Sequence, residues 1–161
     1  MANLDIEAAL RFLHVFFAVG WLGLIWFTAW VLPGIMGQTK PETRMDLQPK
    51  LGKRLVPLMA GASGGTILLG FIVYTLQGMR GDFADMPMGI NAGVVVGLVM
   101  FGIATIIVLP AQKRVIRSSG AGNAPVPRDL ARVVRWANIN AWLGVLALFL
   151  MVMGSHAPLF I

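Results

Sequence analysis

The chain has no cysteine. That absence excludes a thiolate zinc site, an iron–sulfur cluster and covalent c-type haem attachment. Charge is scarce too. Asp, Glu, Lys and Arg make up 12% of the 161 residues and hydrophobic residues 57%, against about 25% charged in an ordinary soluble domain. Two histidines and one tyrosine complete a short set of groups that could bind or titrate. The 13 Lys and Arg outnumber the 7 Asp and Glu. The excess does not point to nucleic acid, because it is gathered in two connections between apolar stretches.

Apolar length is what the sequence has in quantity. A hydrocarbon core about 30 Å thick takes roughly 20 apolar residues per helix. Four stretches qualify: 10–32, 55–76, 89–109 and 137–160. The expected fold is all-α, a single four-helix transmembrane bundle over 1–161 in the lipid bilayer, since an open sheet edge finds no hydrogen bonds in lipid. The first stretch reads as a permanent helix. It is too long for a signal peptide, its leading flank is acidic (Asp5, Glu7), and no cleavage site follows a short apolar core. No convincing internal repeat stands out.

Lys40, Arg44, Lys50, Lys53 and Arg54 lie between the first two stretches. Lys113, Arg114, Arg117, Arg128, Arg132 and Arg135 lie between the last two, and only Arg11 and Arg80 lie elsewhere. By the positive-inside rule both basic connections are cytoplasmic, and both termini face the outer, periplasmic side with the loop from Gly81 to Asp85. Glu7, Asp82 and Asp85 are then expected in solvent. Thr39-Lys40-Pro41-Glu42 has capping-box spacing, which predicts a short surface helix reaching Pro49. Ser118 to Pro127 reads as flexible linker. Arg128, Arg132 and Arg135 recur at helical spacing and suit lipid headgroups, with Trp136 in the interface belt. Gly61, Gly64, Gly65 and Gly70, and Gly89, Gly93, Gly97 and Gly102, let helices approach closely, and would leave room for a flat macrocycle.

His14 stands alone in the apolar run of the first helix, and His156 lies near the end of the fourth. With both termini on one side, each sits within about 10 Å of the same surface at 1.5 Å rise per residue. Helices one and four are frequent neighbours in such bundles. Two neutral imidazoles at matched depth suit one haem b held bis-histidine, which carries electrons and leaves no open iron site. Phe17, Ala18 and Trp21, with Phe149 and Val152, would wall the porphyrin. Arg11 and Arg80 could pair with its propionates, and Tyr74 and Asn91 are polar groups near the same level. Met151 or Met153 could replace His156 as a soft ligand. Two histidines with no nearby carboxylate make a poor zinc or copper site. A histidine near a helix end also serves simply by snorkelling or by bonding a carbonyl. No catalytic set emerges, and Ser155 points away from its neighbour His156.

Three stretches resemble the membrane domain at the N-terminus of bacterial membrane-anchored urate oxidases. They are Arg11-Phe12-Leu13-His14-Val15 with Gly20-Trp21-Leu22-Gly23, then Val108-Leu109-Pro110-Ala111-Gln112-Lys113, then Arg135 to Asn140 with Phe149 to His156. They follow one another in the family's order. A further likeness, mainly in the first helix, is to membrane-type protoporphyrinogen oxidases, which are small haem-binding helical proteins. The resemblance implies a haem-associated, multi-pass protein of the bacterial cytoplasmic membrane, with His14 and His156 as functional positions. Family urate oxidases carry more membrane helices and a c-type cytochrome domain, whereas this sequence has no Cys-x-x-Cys-His. Electrons would therefore pass to quinone or to another protein.

The first expectation is a membrane-embedded b-type cytochrome near the periplasmic face. The second is a haem-dependent oxidase of the protoporphyrinogen oxidase type, with one iron face open. The third is a cofactor-free accessory subunit, packing within a larger membrane complex or homo-oligomer through its glycines.

Overall fold

The structure is a computed structural model that describes residues 2–123 and 125–155, with side chains from Ile6 onward. Among the described residues six α-helices are strung into four rods. α1 (Ala2–Trp26) continues through a π turn (Phe27–Val31) into α2 (Leu32–Gln38), and α3 (Pro41–Arg80) forms the second rod. A 3-10 turn (Phe83–Asp85) leads to α4 (Met88–Gly102), which continues through a π turn (Ile103–Val108) into α5 (Leu109–Gly120). α6 (Pro127–Ser155) is the fourth rod. No strand occurs among the described residues.

All four rods are long and apolar enough to cross a membrane. Only 11 to 22% of their most apolar windows is buried within the protein, so most of the apolar surface faces outward. Phe12, Phe16, Leu68, Phe71, Ile106 and Trp142 are all exposed. In water such a surface would aggregate, whereas in a bilayer it is the coat that lipid covers.

The rods pack antiparallel as two tight pairs, α1 against α3 and α4 against α6. Glycines set both distances. A Cβ on Gly65 would lie 2.7 Å from the Phe17 ring, and one on Gly89 would lie 2.7 Å from Leu150 O. Trp21, Ile25, Ala29, Met100 and Ala141 form the core between the pairs. The first and fourth rods are neighbours, as expected. Toward the basic end Trp26 Nε1 donates to Ala141 O (3.2 Å) and Trp30 packs on Trp142.

The rods overrun the expected boundaries. α3 has 40 residues, about 60 Å of helix. The surface helix expected to stop at Pro49 is instead the start of this rod, which runs through Pro49 and Pro57. A proline removes one N–H and crowds one carbonyl, but packing against α5 carries the helix across. Gly52 sits directly under the Ile116 side chain, and Ser119 Oγ donates to Gln48 Oε1 (3.2 Å). The capping box does not form. Thr39 is the extended C-cap of α2 and its hydroxyl donates to Ile35 O (2.7 Å), while Lys40 caps α3 without a side-chain bond. Helix enters the expected linker only at its two ends. α5 runs to Gly120, the chain turns at Gly122 (φ 73°), and α6 begins at Pro127. Arg114 clamps this turn, giving two hydrogen bonds to Asp129 (2.9 and 2.7 Å).

Candidate functional site

Glu7, Arg11 and His14 fall at i, i+4 and i+7, a single stripe of α1, and it faces α3. Glu7 is buried, 7% exposed. Arg11 donates to its carboxylate from one turn on (2.6 Å), and Arg80 donates to its other oxygen from the end of α3. The expectation of a solvated Glu7 is therefore overturned. A carboxylate against an apolar helix end is held there by two guanidinium groups, each about half exposed. Asp82 and Asp85 are exposed as expected, and Asp82 Oδ1 accepts from Ala84 N (3.1 Å).

One turn deeper, His14 Nδ1 lies 2.9 Å from Thr66 O. A carbonyl oxygen only accepts, so Nδ1 carries the proton and a neutral ring keeps its lone pair on Nε2. Gly70 makes the approach possible, since a Cβ there would lie 2.6 Å from His14 Cε1. Thr66 is itself buried, with its hydroxyl donating to Ala62 O (2.8 Å). Thr66 escapes a reading of the sequence, because a backbone acceptor leaves no mark in side-chain identity.

The structure brings some expected residues together and separates others. Arg11 and Arg80 do converge, but on Glu7. Trp21 is 3% exposed and belongs to the core with Met100 and Ala141. Tyr74 and Asn91 pair with each other (2.8 Å), joining α3 to α4, and Asn91 Nδ2 donates to Met86 O (3.3 Å). Met151 packs onto Gly93. Met153 is on the surface, as are Phe149 and Val152. His156 lies outside the described residues. The described part of α6 reaches Ser155, with Gly154 against Gly89 and Ile90, at the same end of the bundle as Glu7. Between α1 and α3, below the His14 level, runs an apolar groove of about 440 Å³ lined by Phe17, Gly20, Pro57 and Gly61 among others. Among the described residues no three His, Cys, Asp or Glu side chains cluster as metal ligands.

No family model matches this chain, and no curated protein or solved structure does either.

Proposed function

We propose that this chain is a multi-pass membrane protein that holds one b-type haem near its Glu7 end and carries electrons to or from quinone or a partner protein. The observation that supports it is the His14 Nδ1–H···O=C Thr66 bond. Metal-ligating histidines usually donate their second nitrogen to a carbonyl or carboxylate, which fixes the tautomer and leaves Nε2 as the ligand. The donor chemistry of His14 therefore fits one axial position, and His156 is the proposed partner for the other. Bound haem would supply one-electron chemistry. The chain's own contribution is to hold the imidazole by Thr66 and Gly70 and to surround it with apolar helix. Arg11 and Arg80 balance Glu7 first, and their remaining donors would be left for propionates.

The same bond also supports a second reading, a cofactor-free accessory subunit in which His14 fastens α1 to α3. A dithionite-reduced minus oxidised visible spectrum of the purified protein separates the two. Sharp low-spin bands, lost in both His14→Ala and His156→Ala, are expected for the cytochrome. Bands that persist in His156→Ala would move the second ligand elsewhere. A colourless fresh preparation would leave the accessory subunit.

A further inference from the structure

One six-residue pattern, Thr-x-x-Val-Leu-Pro, occurs twice, at 28–33 and 105–110. Each copy sits on a π turn, with Leu32 N–H bonded to Phe27 O and Leu109 N–H to Ala104 O. The threonines repeat as well. Thr28 Oγ1 donates to Leu24 O and Ile25 O, and Thr105 Oγ1 to Phe101 O and Gly102 O. Pro33 and Pro110 bring no N–H, and each ring would strike the carbonyl four residues back, so a wider turn relieves both. The first and third rods run in the same direction, so the two turns lie at one level. Between them is a cavity of about 60 Å³ reached by all four rods, with Thr28, Met59, Ala104, Gln112, Val133 and Asn140 in its lining. Asn140 is 3% exposed, and its Oδ1 has no hydrogen bond.

We propose that this cavity is an internal water site, with one or two water molecules bound between the paired π turns and donating to Asn140 Oδ1. Leaving a buried amide oxygen unsatisfied costs about 1–3 kcal/mol, so a donor belongs there. The volume suits about two waters at roughly 30 Å³ each. It is far below the ~300 Å³ of a small organic ligand's pocket. A cation would find oxygens but no carboxylate in the lining, and a buried ion without a countercharge is much more costly than a neutral donor. Water also finds the two to four polar partners it needs in the Asn140 and Gln112 amides and the Thr28 hydroxyl. The site rests on geometry apart from His14 and is independent of haem.

The test is water-to-protein NMR cross-relaxation on the full chain, isotope-labelled, in lipid nanodiscs, with and without xenon. Long-lived water cross-peaks to the Asn140 side-chain amide and the Ala104 amide are expected, unchanged by xenon. Their loss in Asn140→Leu, with a cavity that then takes up xenon, completes the result. Xenon uptake by the wild type without water cross-peaks would overturn the proposal, since a dry apolar cavity behaves that way. So would Asn140 shifts that titrate with sodium at constant ionic strength, which would make the occupant a cation. The wild-type spectra decide alone if Asn140→Leu does not fold.

Discussion

Glu7 is a residue whose sequence neighbours mislead. Read locally it belongs to an acidic, solvated flank. It is buried because Arg80, 73 positions away, closes over it, and that kind of pairing leaves no local periodicity. His14 was legible as a polar group in an apolar run, and its bond to a carbonyl was one of the roles such a residue can fill. Which carbonyl was not legible, since Thr66 contributes only backbone. Two predictions belong at this scale. Glu7→Gln keeps the shape but removes the charge that both guanidinium groups share. Stripping one partner from a fully buried pair would cost about 3–5 kcal/mol, but both arginines are half exposed and rehydrate. A loss between the ~1 kcal/mol of an exposed pair and that figure, about 1–2 kcal/mol, is expected, seen as a lower melting temperature in detergent and a gap from wild type that narrows in high salt. Gly70→Ala drives a methyl into the imidazole. Overpacking of this kind costs about 1–3 kcal/mol, and it should also lower haem content if His14 is an axial ligand. Unchanged haem and stability in Gly70→Ala would mean that the ring can move freely away from Thr66.

Helices show the same division between what is local and what is not. The apolar middle of each rod was readable because lipid imposes one requirement on every residue in it. The rod ends were not, because 41–54, 110–120 and 127–136 are polar and fold on one another through contacts such as Ser119 with Gln48 and Arg114 with Asp129. Pro49 looked like a stop, yet neighbouring helices support the backbone around it. The π turns had a signal that hydropathy ignores, the repeated Thr-x-x-Val-Leu-Pro. If Pro33 forces the first of them, Pro33→Ala lets residue 33 bond to the carbonyl of Ala29 and the turn relax to α-helix. Residues of the turn then rotate, Trp30 among them. Trp30 stacks on Trp26 with centroids 6.0 Å apart and touches Trp142 at 5.5 Å. The near-ultraviolet circular dichroism of this group should change in Pro33→Ala and stay close to wild type in Pro110→Ala. Equal spectra for all three proteins would show that the turn is held by packing and not by proline.

At the scale of the whole molecule, two physical asymmetries lie along the same axis. One end of the bundle gathers nearly all the basic residues on helix extensions beyond the apolar spans. The other holds Glu7, Arg11, Arg80 and His14 with little polar extension. A rod that crosses a membrane resists moving many Lys and Arg through it during insertion, so the basic end should remain in the cytoplasm. The absence of cysteine makes this directly measurable, because any thiol introduced is the only one present. Asp82 and Asn123 are exposed in the turns at opposite ends, so Asp82→Cys and Asn123→Cys bury no new group, and Asp82→Cys gives up one exposed bond from Ala84 N. In intact cells a membrane-impermeant maleimide should label Asp82→Cys within minutes and spare Asn123→Cys, and permeabilisation should make the two equal. The reverse pattern would place His14 toward the cytoplasm and remove an outward-facing redox partner from consideration. Equal labelling before permeabilisation would mean either mixed insertion or no crossing at all, and alkaline carbonate extraction separates these, since only a spanning bundle stays with the membrane.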